Sequence, residues 1–157
     1  MHDLTKNGHW FLKVSVKFDL DRYGNPSSRQ GKTGVGVYEN FSVASEEEQF
    51  KLNLGNLIEK ENMGKDDPMH TSRGRNFTTE DRDNDNFYYD NDHDYSSAHP
   101  EWHDNSAYKF EGGWWHDRYT WFCANCQFTN WQNFYFFDGG YERPSAYAMW
   151  MRQEIDD

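Results

Sequence analysis

Apolar and polar side chains alternate most clearly near the start of the chain, in residues 11–18, FLKVSVKF. Alternation with a period of two places successive side chains on opposite faces of an extended backbone. One face holds Leu12, Val14, Val16 and Phe18, and the other face holds Lys13, Ser15 and Lys17. The pattern therefore predicts a strand with one buried face.

Two similar segments follow. Residues 34–43, GVGVYENFSV, come after a polar loop rich in Gly, Pro and Ser, which is typical of a long hairpin connection. They are predicted to form a second strand. Residues 49–54, QFKLNL, predict a third strand in which Phe50, Leu52 and Leu54 face inward.

The rest of the chain carries less periodicity. Residues 57–62, LIEKEN, predict no more than one turn of helix, whereas AYAMWMR alternates again and predicts a closing strand. Residues 64–113 are almost aperiodic, which is too long for an ordinary connection within a compact domain. That segment is either disordered or ordered by something other than backbone ladders, such as a bound ion. The predicted fold is α+β and β-dominated, a single domain with a twisted antiparallel sheet in 1–77, a coil-rich lobe in 78–145, and a closing strand and tail in 146–157.

Composition narrows the possible functions. The chain has 157 residues and a formal net charge of -11, which argues against a nucleic-acid partner, because few cations are present to neutralise phosphates. The acidic balance fits cation binding or solubility. Aromatic residues make up 18% of the chain, far more than disordered acidic segments contain, so the chain is predicted to fold. It contains no apolar run long enough to cross a bilayer.

Cysteines and histidines offer one candidate site. Cys123 and Cys126 form a CxxC unit, which is compatible with a disulfide, half of a zinc site or a redox pair. We favour the disulfide. The alternative is a tetrahedral zinc site with the HxxxH pair, His99 and His103, and with His93 or His116 as further candidates. Two sequons, at Asn40 and Asn76, are compatible with secretion and glycosylation.

The acidic stretch at 78–95, TTEDRDNDNFYYDNDHDY, offers a second candidate site. Ca²⁺ takes six to eight oxygen ligands, and alternating aspartates in an extended segment place carboxylates on one side of the chain. An EF-hand loop is a poor match, because Asn86 replaces its glycine and amphipathic flanking helices are missing from the pattern. The other interpretation is a solvated turn.

Seven segments together identify a resemblance. In chain order they are HDLT, FLKVSVKFDLD, YENFSV with FKLNLG, FTTEDRDNDN, NSAYKFEGGWW, CQFTNWQNFY and MWMRQ. This succession resembles the fibrinogen-related domain of fibrinogen chains, ficolins, tachylectins, angiopoietins and tenascins. The resemblance covers nearly the whole chain and implies that an N-terminal subdomain of the complete domain is missing.

The resemblance also implies a calcium site. The family's second and third loop aspartates match Asp83 and Asp85, whose carboxylates would bind the ion. The carbonyls of Phe87 and Tyr89 would complete the set, and Asp81 would support the loop or cap its turn. An insertion at about 90–104 adds Asp90, Asp92 and Asp94, which would enlarge the site, bind a second ion or repel one another at the surface.

A ligand pocket beside the calcium loop is implied as well. In family members that bind acetylated sugars it uses an aromatic residue, a non-proline cis peptide, a histidine and the residues ahead of a final turn. The matching positions are Phe110, Asn125, Cys126, Gln127, Phe137 and Asp138. Gln127 stands where the family has histidine, and Ser106 stands where it has the cysteine that would pair with Cys126.

These observations predict an extracellular, secreted glycoprotein module, not an enzyme, that recognises a glycan or protein ligand with the help of Ca²⁺. The alternative is a structural subunit of an extracellular assembly whose ligand pocket is lost. In either case a homo-oligomer or a partner chain is expected to cover the sheet edge, and neither nucleic acid binding nor membrane insertion is expected. A zinc-dependent intracellular domain is a third reading.

Overall fold

The computed structural model describes residues 1–21, 25–64, 67–85, 105–117, 123, 135–137 and 140–154. Two short helices and seven strands lie in these residues. They are α1 (His2–Thr5), β1 (Trp10–Asp21), β2 (Thr33–Tyr38), β3 (Ser42–Val43), β4 (Leu52–Asn53), β5 (Leu57–Glu61), α2 (Ser106–Lys109), β6 (Tyr135–Phe137) and β7 (Gly140–Gln153). The prediction of a β-dominated α+β fold is confirmed.

Five of the strands form one antiparallel sheet in the order β5-β2-β1-β7-β6, and β3 pairs with β4 in a small second sheet. The predicted hairpin between β1 and β2 is confirmed. The predicted closing strand is also confirmed, and it is longer than the alternating residues alone suggested. It lies between β1 and β6, so a C-terminal strand occupies an interior position of the sheet.

The alternation in β1 corresponds to its burial with one exception. The four apolar residues of the alternating pattern, Leu12, Val14, Val16 and Phe18, are at most 2% exposed, and Lys13 and Lys17 are exposed. Ser15 was predicted on the solvent face, yet it is buried. It lies between Val35 of β2 and Ala148 of β7 on an interior strand of the sheet, where a small side chain has paired strands on both sides.

The predicted second and third strands are shorter than expected because the backbone turns left-handed within them. Asn40 has φ = 50° and separates β2 from β3. Gln49 and Phe50 have φ = 56° and 51°, which restricts the third strand to Leu52–Asn53. Leu52 is buried as predicted, and Phe50 packs at the periphery of the core.

The helical turn predicted for LIEKEN is wrong. Leu57–Glu61 is the strand β5, which pairs with β2 through Val35↔Glu61 and Val37↔Glu59. Helix propensity is a weak preference, and here the backbone groups on the outer side of β2 offer a ladder instead. Among the described strands β5 forms one edge of the sheet.

The coil-rich lobe packs against the inner face of the sheet. Trp114 and Trp115 of the lobe are buried in the same cluster as the apolar residues of β1, together with Met63 and Met69 of the segment that follows β5. A polar contact ties that segment to the sheet: the hydroxyl of Tyr38 in β2 donates to Asp67 at 2.7 Å. The lobe therefore shares its core with the sheet.

Candidate functional site

The acidic loop is fastened to the core at its first residue. Thr78 is fully buried, and its N–H and C=O bond with the C=O and N–H of Trp114 at 2.9 and 3.1 Å. The Thr78 hydroxyl accepts the N–H of Asn84 at 3.1 Å, which closes the loop on itself. Asn84 also donates from its side chain to the carbonyl of Phe77 at 2.6 Å.

Asp83 and Asp85, the two carboxylates that the resemblance implies for calcium, are linked by a hydrogen bond. Oδ1 of Asp83 accepts the N–H of Asp85 at 3.1 Å. Asp83 is exposed, whereas Asp85 is only 8% exposed. Oδ2 of Asp85 accepts the N–H of Ser106 at 3.0 Å, so a buried carboxylate holds the first residue of α2.

A second link joins the loop to α2 through Asn105, its N-cap. The side-chain oxygen of Asn105 accepts the N–H of Tyr108 at 3.1 Å, which is the usual capping bond. Its side-chain nitrogen donates to the carbonyls of Thr79 and Glu80 at 2.9 and 3.2 Å. Asn105 was not among the site residues predicted from the sequence. An asparagine just before a short helical segment was the signal that could have found it.

Asp81 lies at the turn, as the resemblance implied. Its carboxylate accepts a hydrogen bond from the hydroxyl of Thr79 at 2.7 Å. That hydrogen bond, more than any charge, lowers the pKa of Asp81. The turn is tightened by mutual backbone hydrogen bonds between Thr79 and Arg82. Asp81 therefore stabilises the turn of the acidic loop.

The rest of the implied calcium set lies outside the described residues, namely Phe87, Tyr89, Asp90, Asp92 and Asp94. Within the described part of the chain no three His, Cys, Asp or Glu side chains are grouped as metal ligands. The implied set requires only two carboxylate side chains, because carbonyls supply the others. Asp83 and Asp85 offer the hard oxygen donors that Ca²⁺ prefers.

Phe110 is the one implied pocket residue whose side chain the structure describes. Its ring stacks on His116 at 5.4 Å between centroids, and both lie beside α2. His116 is fully buried, and its Nε2 is 2.9 Å from the carbonyl oxygen of Gly112. Burial lowers the pKa of His116. The described residues do not include Asn125, Cys126, Gln127 and Asp138, nor the side chain of Phe137.

Two observations bear on the zinc alternative. His116 belongs to the packed core next to Phe110. Cys123 is buried and disulfide-bonded, so its sulfur offers no thiolate to a metal. The other candidates, Cys126, His93, His99 and His103, lie outside the described residues.

The two sequons lie in different surroundings. Asn40 is exposed at the turn between β2 and β3. The Asn76 side-chain nitrogen donates to the side-chain oxygen of Gln49, and Thr78 of the same sequon is fully buried. Asn40 is therefore the better placed of the two for a glycan.

The sequence profile described as fibrinogen beta and gamma chains, C-terminal globular domain, matches residues 1–154. The chain belongs to this fibrinogen-like family. Ryncolin-4 of Cerberus rynchops is 35% identical over 116 residues, which are 74% of this chain and 26% of ryncolin-4. The fibrinogen-like domain described here thus spans about a quarter of that relative.

Solved structures show the same fold. The fibrinogen-like globe domain of human ANGPTL2 is 25% identical with a TM-score of 0.62, and the match covers 97% of this chain and 62% of that one. Lamprey fibrin D-dimer, complexed with a Gly-His-Arg-Pro-amide peptide ligand, has a TM-score of 0.54 at 19% identity, covering 88% of this chain and 36% of that one.

Fibrinogen-like domains are non-enzymatic recognition modules of extracellular proteins, as the resemblance implied. Proteins of this family bind protein or glycan ligands. None of the helices in the described ranges is long and apolar enough to cross a membrane.

Proposed function

We propose that this fibrinogen-like domain is a secreted, calcium-dependent module that binds a glycan or a protein ligand beside its acidic loop. The observation that carries the proposal is the hydrogen bond from the N–H of Ser106 to Asp85. α2 begins at Ser106 and is followed directly by Phe110, an implied pocket position. One hydrogen bond and one helical turn therefore join the implied calcium loop to the implied pocket.

The carboxylates of Asp83 and Asp85, with the carbonyls of Phe87 and Tyr89, would hold the ion. When bound, Ca²⁺ supplies two positive charges that neutralise these carboxylates. The chain's own residues set the loop's shape: Thr78 fixes its start against Trp114. Asn105 fixes its turn against α2.

The class of ligand follows from the family and from the aromatic surroundings. Phe110 and the half-exposed ring of Tyr108 lie at α2, and aromatic rings commonly line glycan and peptide sites. Family lectins bind acetylated sugars, whereas the lamprey fibrin structure contains a peptide ligand. Both classes are compatible with a pocket at this end of the lobe.

Calcium is tested first by its effect on stability. An ion that binds only the folded state stabilises it by about 2.7 kcal/mol at a hundredfold excess over Kd. For a chain of this size that free energy raises Tm by roughly 5–10 °C. We expect calcium, but not magnesium at equal ionic strength, to raise the Tm of the wild type.

Asp83→Asn is the informative variant, and Asp81→Asn is its matched control. The first removes one implied ligand charge while its side-chain oxygen can still accept the N–H of Asp85. The second removes an equally exposed charge two residues away. We expect the calcium-dependent rise in Tm to vanish in the first and persist in the second. If calcium does not change the Tm of the wild type, the proposed calcium site is refuted.

Ligand binding is tested separately on glycan and peptide arrays with calcium and with chelator. We expect hits that are lost in chelator and weakened by Asp83→Asn. If the protein binds calcium but no array ligand, the proposed calcium site stands and the proposed recognition of a glycan or peptide is refuted. In that case the structural subunit of an extracellular assembly becomes the better account.

A further inference from the structure

The outer face of the five-stranded sheet, opposite the lobe, carries its acidic and basic side chains on different strands. It is formed by alternate residues of four neighbouring strands, which the pairing registers place side by side. These are Glu59 and Glu61 of β5, Val35 and Val37 of β2, Phe11, Lys13, Ser15 and Lys17 of β1, and Ala146, Ala148, Trp150 and Arg152 of β7. We call this set the outer face.

Charge on the outer face is segregated by strand. Lys13, Lys17 and Arg152 are exposed on β1 and β7, in a chain whose net charge is -11. Glu59 and Glu61 are exposed on β5, at the other side of the face. Adjacent strands lie about 4.8 Å apart, so the acidic strand β5 is roughly 14 Å from β7.

The middle of the face carries no charged side chain on β2 and is largely apolar. Val35, Val37 and Ala148 are partly buried, and Trp150 is 51% exposed. The ammonium group of Lys13 lies 5.5 Å from the centroid of the Trp150 ring. The guanidinium of Arg152 lies 5.2 Å from the centroid of Phe11. A half-exposed tryptophan in such a patch gains free energy when a partner covers it.

We propose that a second copy of this chain covers the outer face, related by a two-fold axis that runs parallel to the strands. Such an axis places β5 of one copy over β7 of the other, because it exchanges the two sides of the face. The registers then place Glu59 over the partner's Trp150, with the partner's Lys13 on the neighbouring strand and its Arg152 two residues further along β7. The contact occurs twice, as an isologous interface requires. A two-fold axis perpendicular to the strands would instead stack β5 on β5 and bring glutamates together. The charges therefore select one of the two arrangements.

The pattern fits a second copy better than a linear polyanion. A sulfated polysaccharide lying along the cations of β1 and β7 would pass close to the glutamates of β5 and to a strongly acidic protein. A second copy presents both signs and satisfies both sides of the face. The charged edge of β5 also disfavours the other route to assembly, strand pairing at the sheet edge.

The interface is small, so the dimer is a weak one. The face extends about 20 Å along β1, from Phe11 to Lys17, and about 20 Å across four strands. The resulting 400 Å² or so per copy is about half of the 800 Å² that a standard interface buries on each partner. Repulsion between two acidic copies is largely screened at physiological salt, where the Debye length is about 8 Å. We therefore expect reversible association that depends on protein concentration.

Paired charge reversals test the arrangement by sedimentation velocity at physiological salt, up to millimolar protein. Glu59→Lys with Glu61→Lys makes every charge of the outer face basic, and Lys13→Glu with Arg152→Glu makes the face acidic except for Lys17. Each variant alone should remain monomeric. Mixed in equal amounts they should associate at least as well as the wild type, because both contacts of the mixed dimer are attractive. The result should be the same with calcium or chelator, since the proposal does not depend on the calcium site.

The matched control is Glu47→Lys with Glu48→Lys, which changes net charge by the same amount at an exposed turn away from the outer face. It should dimerise like the wild type. A wild type that stays monomeric, variants that associate alone, or a mixture that stays monomeric would each overturn the proposal. Retention of a monomeric wild type on heparin, lost only with Lys13→Glu and Arg152→Glu, would assign the face to a polyanion instead.

Discussion

Replacing Tyr38 by phenylalanine tests the contact that ties β2 to the segment that follows β5. Tyr38 is fully buried in β2, and its hydroxyl donates to Oδ1 of Asp67 at 2.7 Å. The same carboxylate accepts the N–H of Met69 at 2.9 Å and the guanidinium of Arg73 at 2.9 Å. Burial first, and then the hydrogen bond to Asp67, raise the pKa of Tyr38, so its hydroxyl remains a donor at neutral pH.

The magnitude follows from these contacts. A hydrogen bond to a charged group contributes about 1.5–3 kcal/mol to stability. Asp67 keeps its other two donors in Tyr38→Phe, so we place the loss near 2 kcal/mol. In a chain of this length such a loss corresponds to a fall in Tm of about 4–8 °C. The Arg73 contact is partly exposed and is expected to contribute at most about 1 kcal/mol.

Urea unfolding of the wild type and of Tyr38→Phe measures the loss directly. Tyr108→Phe is the matched control, because Tyr108 is 40% exposed and loses the same atom. The control should stay within about 0.5 kcal/mol of the wild type. A double-mutant cycle with Asp67→Asn then isolates the pair. If Tyr38→Phe behaves like Tyr108→Phe, the hydroxyl does not tie the segment after β5 to the sheet and the reasoning fails.

Three further outcomes are expected. Because burial lowers the pKa of His116 below its ordinary value of 6.5, the unfolded chain binds more protons, so stability should be lost as the pH falls below 6.5. In His116→Gln, which can still donate to Gly112, urea unfolding across pH should show a flatter profile. Gly34→Ala should cost about 1–3 kcal/mol in urea unfolding, because the added methyl meets the Met63 sulfur. The same substitution should cost less in a Met63→Ala background, although Met63→Ala is itself destabilising because Met63 is fully buried. In a secretory host, mass spectrometry should find a glycan at Asn40 that disappears in Asn40→Gln.

The sheet was largely predictable because its strands alternate strictly and bury one face. The errors came where tertiary contacts override local preference. LIEKEN carries good helix formers, yet the ladder with β2 makes it a strand. The left-handed turn at Gln49 and Phe50 contains no glycine that would indicate it. It is stabilised by residues distant in sequence: the indole N–H of Trp115 donates to the carbonyl of Phe50, and the backbone N–H of Phe77 donates to the carbonyl of Gln49. No local pattern reports such contacts.

The candidate site was predictable in part for a similar reason. The spacing of the aspartates indicated Asp83 and Asp85 as a pair. The partner of Asp85 is the N–H of Ser106, which is separated from it by 21 positions, and a backbone donor leaves no mark in the residue type. Asn105, whose side chain joins α2 to the turn, lies as far from the loop in sequence. Contacts with backbone groups that are distant in sequence cannot be recognised from the residue types of a single sequence.

The burial of Asp85 changes how the calcium hypothesis should be tested. Its carboxylate already holds the start of α2, and removing it would leave a buried N–H without that acceptor, which costs about 1–3 kcal/mol. Asp85→Ala would therefore destabilise the lobe whether or not an ion binds. Asp83 is exposed, so its charge can be removed with little effect on packing. A calcium response lost in Asp83→Asn while the stability without calcium stays unchanged would therefore report the ion itself. Of the two implied carboxylates, Asp83 is the one that allows the effect of the ion to be separated from the effect on the fold.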